Sequence, residues 1–446
     1  RWYGLWILVG TMVGYFGFLD LGIGTANERY VARALGKKDQ DEVNRVFSSS
    51  VFLFAIVGVL TLVLTAVVIA LCPRFVRDAG DLAIFRLVFL VVGVDMAISF
   101  PIRGIYGFLY AHIRYDVVYI FGILKTLVRT ALIVLAFERG HGIVALALAT
   151  LAGDLAEYAA NVVYLRARHP EAIVRLRDFS RKMARQLYDY SIYSFVAATA
   201  KQLRVNLDAL VITAMLGLAH VTHYNIGSRI AGYYLLFVVS AVSSIKPVFS
   251  KLEGEGDFET LRERYYFALK LNMILSFFLG GAILIYGKAF ILRWMGQSYL
   301  DSWHVLAVLA VAQIFNTIQV TPAELLYGIS RHKVYSFIVV LEAAANLGIS
   351  VLLARRFGIV GVAFGMLVPV TVTTLVFIPL YANRVIAFPN GRFYRMFARI
   401  AALAAALHAL SWLAVRGLVT PSFGRIAALG AATSIVFLGI TVFALL

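Results

Sequence analysis

The sequence predicts an all-α polytopic membrane protein: two six-helix lobes, the first lacking its first helix, followed by two additional C-terminal helices. Three observations predict it. Hydrophobic residues fill 61% of the 446 positions and charged residues only 15%, against roughly 45–50% and 25% in soluble domains. No soluble interior hides that excess, and hydrocarbon is the solvent that accepts it. The apolar stretches are helix-length, as at 51–71 and 426–446, whereas the strands of a membrane barrel alternate over about ten residues. Basic loops alternate with poorer ones, as when Lys and Arg are retained at one face of a bilayer.

In chain order, about thirteen runs are near or above the roughly 20 residues needed to cross. They fall at 4–25, 47–72, 83–109, 116–138, 141–165, 187–216, 221–248, 265–293, 301–328, 334–355, 358–385, 396–416 and 425–446. The first exits into a basic stretch with Arg29, Arg33, Lys37, Lys38 and Arg45. Arg139-Gly140 and Phe357-Gly358 are turns short enough to make helical hairpins of the runs they join. After the fifth run come Arg166, Arg168, Arg175, Arg177, Arg181, Lys182 and Arg185. Arg262, Arg264, Arg331, Lys333, Arg384, Arg392 and Arg395 continue the basic set, while the loop at 218–222 has no Lys or Arg. The positive-inside rule puts the basic set in the cytoplasm and Arg1 outside. An outside start with no signal peptide implies one helix before Arg1, and so a parent of roughly fourteen spans. The chain also ends within an apolar run.

The domain organisation follows: an N-terminal lobe at 1–165, a cytoplasmic linker helix at 166–186, a C-terminal lobe at 187–386, and two more transmembrane helices at 387–446. In the linker, Ile173, Val174, Leu176, Phe179, Met183 and Leu187 have the spacing of an amphipathic helix lying on the membrane. An internal repeat supports two lobes. Gly142-Ile143-Val144 with Ala147 recurs as Gly358-Ile359-Val360 with Ala363, and Tyr110 with Arg114 as Tyr327 with Arg331. The segment 3–38 resembles 224–257. The offsets are all about 220 residues, and both copies run the same way, so the repeat is parallel.

The net charge of +17 reads first as basic loops, not as a nucleic-acid surface. The single cysteine, Cys72, excludes an intramolecular disulfide and a cysteine-based metal site. The eight His residues are scattered, and no phosphate-cradling Gly loop marks an ATP site. No enzyme constellation, resident metal or cofactor is expected.

Ionisable groups within apolar runs are costly and face a cavity or a partner. Lys125 and Arg129 share a helix face. Lys201, Arg204 and Asp208 recur at i, i+3 and i+7, Arg103 follows Pro101, and Arg229, Lys246 and Lys270 lie in or near later helices. The acids are Asp20, Asp95, Asp154, Glu157, Glu324 and Glu342. One reading is a cationic lumen between the lobes, with Lys125, Arg129, Lys201, Arg204, Arg103 and Arg229 meeting an anionic substrate. Asp208, Asp154, Glu157, Glu324 and Glu342 are then ion-coupling candidates. The other reading is structural: the acids are ion-pair partners, Lys201 to Asp208 is self-satisfied, and Arg103, Lys246 and Lys270 snorkel from helix ends.

Tyr3-Gly4-Leu5-Trp6, Asp20-Leu21-Gly22-Ile23-Gly24 and Arg29-Tyr30-Val31-Ala32 resemble the second helix and first cytoplasmic loop of polysaccharide flippases. Asp208, Gly217, Tyr224-Asn225-Ile226 and Arg229-Ile230 extend the resemblance to the second lobe. These proteins form the polysaccharide branch of the multidrug/oligosaccharidyl-lipid/polysaccharide exporter superfamily. The resemblance implies an inner-membrane protein that moves a polyprenyl-pyrophosphate-linked oligosaccharide to the periplasmic leaflet by alternating access. Cavity cations would meet the pyrophosphate, and Lys125, Arg129, Lys201 and Arg204 are the positions here that suit that role. The implied partners are the lipid-linked substrate, membrane lipid and other polysaccharide-assembly proteins, with no nucleic acid. The alternative is a cation-coupled small-molecule or drug exporter of the same superfamily.

Overall fold

A computed structural model describes residues 2–74, 79–418 and 422–445. Arg1, which the charge pattern places outside, and Leu446, the last residue of the C-terminal apolar run, lie outside the described residues. The described residues are helical nearly throughout and contain no strand. They divide into two compact units, one formed by Arg1–Phe195 with Ser250–Gly256, the other by Val196–Phe249 with Asp257–Leu446.

In chain order the helices are α1 (Trp2–Phe16), α2 (Ile23–Gly36), α3 (Gln40–Leu71), α4 (Ala79–Ala111), α5 (Tyr115–Glu138), α6 (Ile143–Arg168) and α7 (Arg181–Leu216). There follow α8 (Leu218–Val242), α9 (Lys246–Glu255), α10 (Phe258–Trp294), α11 (Asp301–Ile318), α12 (Val320–Gly328) and α13 (His332–Val372). The last three are α14 (Ile378–Val385), α15 (Asn390–Val415) and α16 (Phe423–Leu445). Eleven stretches of the described residues are long and apolar enough to cross a membrane. The difference from thirteen has two causes. The helical stretch over His332–Val385 carries Gly358 at φ 58°, ψ −139°, a conformation open to glycine. It therefore holds two runs, as the Phe357-Gly358 turn predicts. The other run is α7, whose Arg, Lys and Asp residues make it too polar to count.

Unit 1 is built on α3 and α4, which pack along their length, with α2 and α6 against α4 and α5 against α6. Its core gathers Val9, Phe16, Cys72, Phe85, Val88, Phe89, Ile143 and Ala147. The Asp20-Leu21-Gly22 motif breaks the α1–α2 span. Leu21 and Gly22 have φ of 50° and 82°, and the Asp20 carboxylate accepts the Gly22 N–H at 3.0 Å. A Cβ at Gly22 would lie 2.8 Å from the Ser191 carbonyl oxygen, so this turn requires glycine on two counts.

The α2 end crosses the α9 end at Gly36 and Gly254. A Cβ on Gly36 would overlap the Lys251 carbonyl, and one on Gly254 the Arg33 carbonyl. Close backbone approach at small residues is a common device for packing membrane helices. Here it lets Glu253 pair with Arg29 at 3.1 Å and Arg33 at 2.9 Å. Gly36→Leu and Gly254→Leu are each expected to cost about 1–3 kcal/mol from overpacking, read as a lowered melting temperature of the purified protein. An unchanged melt would show that the crossing is not tight.

The linker departs from expectation. Residues 169–180 are not an amphipathic helix; they form an irregular strap with one 3-10 turn, Leu176–Asp178. Pro170 opposes helix continuation, and α3 offers the backbone other partners. The Ser48 hydroxyl donates to the Ile173 carbonyl and accepts the Arg175 N–H, both at 3.2 Å. Asn44 and Ser49 accept the N–H groups of Ile173 and Ser180.

Unit 2 is centred on α11 and α12. Of their most apolar stretch, 72% is buried, against none for the corresponding stretch of α5. Around α11 pack α8, α10 and α13, with Ile212, Ile291, Val305, Leu306, Val362 and Ala363 in the core. Polar side chains thread this interior. Asn272 donates to the Thr317 carbonyl and the Thr321 hydroxyl, each at 2.9 Å, and Thr317 donates to Ser276 at 2.8 Å.

The repeat is visible in local geometry. At Ile113 and Ser330 the backbone turns through positive φ of 60° and 55°. Each turn is closed by the same bonds: Ile113 N–H to Tyr110 and Arg114 N–H to Leu109, Ser330 N–H to Tyr327 and Arg331 N–H to Leu326. Asp39 caps α3 through the Glu42 N–H at 2.8 Å, and Asp257 caps α10 through the Thr260 N–H at 3.0 Å. Every pair is separated by roughly 220 residues.

Candidate functional site

In unit 1 the intramembrane charges meet where α5 crosses α6. Asp154, Glu157 and Asn161 recur at i, i+3 and i+7, so they share a face of α6. Gly153 beside them brings the helices close: a Cβ there would sit 3.2 Å from the Arg129 Cβ. Lys125 on α5 reaches across, its Nζ 3.0 Å from Asp154 Oδ1 and in contact with Glu157 Oε2. Tyr106 of α4 donates to Glu157 at 3.0 Å, and the neighbouring Tyr158 donates to Asp95 at 3.3 Å. One ammonium thus faces two carboxylates, with a third close by. Arg129 lies one turn further along α5, half-buried, with no ion pair among the described residues.

Arg103 does not join this group. Its Nη1 donates to Asp20 Oδ2 at 2.8 Å, so the carboxylate that shapes the Gly22 turn also anchors α4 just past Pro101. Glu28, buried near the middle of α2, accepts from Tyr115 at 2.9 Å.

In unit 2, Lys201, Arg204 and Asp208 do not satisfy one another. Arg204 is buried and donates to Glu342 of α13. The other Glu342 oxygen accepts from Thr373 at 2.5 Å. Thr373 opens a π-helical turn, Thr373–Phe377, a feature frequent at functional sites. Asn316 extends the network, accepting from Gln319 at 2.9 Å and donating to Gln313 at 2.7 Å. One turn along α7, Asp208 accepts from Tyr224 at 2.6 Å. The Lys201 Nζ stands 5.3 Å over the Tyr335 ring, a cation–π distance. Glu324 is half-buried on α12 and Arg229 exposed on α8.

The structure therefore brings Lys125, Asp154 and Glu157 together, and separately Arg204 and Glu342. It leaves Arg103 with Asp20 and Asp208 with Tyr224. Tyr106, Gln313, Asn316 and Thr373 join these clusters although none is a charged residue in an apolar run. Gln313 and Asn316, three apart in an apolar run, were the available signal for two of them. His112, His169 and Glu171 have ligand atoms within 4.8 Å of one another, a spacing that could hold a metal ion. The His112 Nδ1 is already engaged at 2.9 Å by the Phe108 carbonyl, and burial holds the imidazole below its usual pKa.

Buried polar clusters on long, broken helices, eleven stretches of them apolar enough to cross a membrane among the described residues, define an all-helical membrane-protein fold. The chain is similar over 86% of its length to an outward-facing multidrug resistance MATE family transporter of the MOP superfamily. That likeness covers 87% of the other chain, with a TM-score of 0.74 and 17% identity. The chain belongs to the polysaccharide biosynthesis protein family, whose model matches residues 3–253. It is 24% identical over 218 residues to the "Probable low-salt glycan biosynthesis flippase" of Haloferax volcanii, a match covering 49% of this chain and 45% of that protein. The chain thus spans less than half the length of that relative. To the membrane protein EpsK of Bacillus subtilis it is 21% identical over 402 residues, 88% of this chain and 79% of the other.

Proposed function

We propose that this protein is a flippase, moving a polyprenyl-pyrophosphate-linked oligosaccharide from the cytoplasmic to the periplasmic leaflet of the inner membrane by alternating access. Family membership and the glycan flippase relative support the class. Arg129 carries the finer reading. It lies about 4 Å from the midpoint of α5, half-buried and without a carboxylate partner among the described residues. A guanidinium at that depth needs an anion, and a pyrophosphate supplies one in bidentate geometry. Lys125 is the second cation of this subsite, released from its carboxylates as substrate binds. Asp154 and Glu157 then hold the coupling proton or cation, with Asp208, Glu324 and Glu342 as the corresponding acids of unit 2. Lys201, Arg204, Arg103 and Arg229 are secondary contacts. The other polysaccharide-assembly proteins are its partners.

A cation-coupled small-molecule exporter is the second reading, favoured by the gathering of Asp95, Asp154 and Glu157 around one ammonium. Proteoliposomes loaded with a fluorescent polyprenyl-pyrophosphate oligosaccharide separate the two. Protein-dependent movement that falls in Lys125→Ala/Arg129→Ala is the expected outcome. No movement, with retained efflux of a small cation, would favour the exporter.

A further inference from the structure

Away from both clusters, unit 2 holds a cavity of about 320 Å³ between the starts of α10 and α15, with Ala444 of α16 on its wall. That volume is at the low end of those that hold small ligands, roughly 300–1,000 Å³. Its lining is dominated by one sign of charge: Lys270 from α10, and Arg392, Arg395 and Arg399 from α15. The three arginines fall at i, i+3 and i+7, so one helix face presents them all. Lys270 faces them from the neighbouring helix, which packs against α15.

None of the four has a carboxylate within ion-pair distance among the described residues. Arg392 is placed by the Tyr266 ring, 5.2 Å from its guanidinium carbon, and Arg395 Nε donates to the Gly391 carbonyl at 3.2 Å. Both are oriented by uncharged groups. The three arginines are exposed and Lys270 is half-buried, so together they present a positive surface that draws anions to it.

Position identifies the anion's chemistry. On α10 the residue after Lys270 opens an uncharged run ending at Gly287, and on α15 the residue after Arg399 opens one ending at Val415. Each run is roughly 25 Å long, close to the thickness of the hydrocarbon layer. The cations therefore line up at the same edge of that layer, where lipid phosphates lie. Basic pockets between membrane helices at this depth suit anionic headgroups.

We propose that this cavity is a binding site for the phosphate of a membrane lipid headgroup. Arg395 and Arg399 clamp the phosphate oxygens, Lys270 adds a point charge from the facing helix, and Met396 and Ile400 provide an apolar surface for the acyl-chain side of the ligand. The site stands on the membrane-spanning fold alone and does not depend on the flippase reading.

Native mass spectrometry of the full chain in detergent, titrated with phosphatidylglycerol or phosphatidylcholine, tests it. The wild type is expected to retain phosphatidylglycerol in preference to phosphatidylcholine. Lys270→Gln/Arg395→Gln/Arg399→Gln should lower that retention by about tenfold or more. Arg355→Gln/Arg356→Gln, away from the cavity, should leave it unchanged, and melting temperatures of all three proteins control for folding. Addition of a polyprenyl pyrophosphate then names the source: displacement of phosphatidylglycerol assigns the site to the carrier lipid, and no displacement to bulk phospholipid. Equal retention of the two phospholipids by the wild type, or unchanged retention by the folded triple variant, overturns the proposal.

Discussion

Lys125→Ala is expected to reduce lipid-linked oligosaccharide movement by roughly tenfold or more, the loss of one charge-assisted contact to a phosphate. The protein should still insert and purify. The substitution also leaves Asp154 and Glu157 facing each other without their shared ammonium. A structural role and a substrate role therefore predict the same single-variant phenotype, and Lys125→Ala/Asp95→Asn, at the nearby carboxylate outside the proposed coupling pair, separates them. Removing one carboxylate with the lysine restores the local charge balance. If Lys125 served only to neutralise these acids, transport would recover in the double variant. A lysine that meets the pyrophosphate predicts no recovery, with partial rescue by Lys125→Arg. Transport assayed beside melting temperature, in the same preparations, decides between these outcomes.

The second large effect belongs to Arg204 and Glu342. Their side chains are 9% and 2% exposed, and each is the other's charge partner. Arg204→Met or Glu342→Leu alone strands a buried charge, which typically costs about 3–5 kcal/mol. The expected reading is a large drop in melting temperature for either single variant. Arg204→Met/Glu342→Leu removes both charges, and apolar replacements of buried pairs are often neutral or stabilising. The double variant should therefore melt near the wild type. Its transport reports on function independently of folding. Wild-type transport in the double variant would remove this pair from the mechanism.

Both predictions concern partners that pattern reading left open. Lys125 and Arg129 stood out because charges are rare in apolar runs, yet nothing in α5 shows that Asp154 and Glu157 face it rather than lipid. Arg204 had Asp208 four residues away on its own helix, an obvious local partner. Helix packing chose Glu342, well over a hundred positions later, and gave Asp208 to Tyr224. Asp20 with Arg103 is the same lesson: each carried its own signal, a turn motif and a cation after a proline, but not the contact between them. The linker failed differently. Its apolar spacing is helical, and the spacing cannot report that side chains of α3 would satisfy the strap's backbone in place of a helical ladder.

The sequence by itself determined that this chain is an all-helical, many-span membrane protein and where most of its apolar runs lie. These properties follow from periodic apolar content, from caps and from turns, all set by neighbours in the chain. Its family was legible as well, in the Asp20-Leu21-Gly22 turn and the Arg29-Tyr30 stretch. Only the tertiary structure decided which intramembrane charges pair with which acids, and which have no carboxylate within ion-pair distance among the described residues. A charge buried in low dielectric takes its energy from whatever lies within a few ångströms, and helices distant in sequence supply those neighbours.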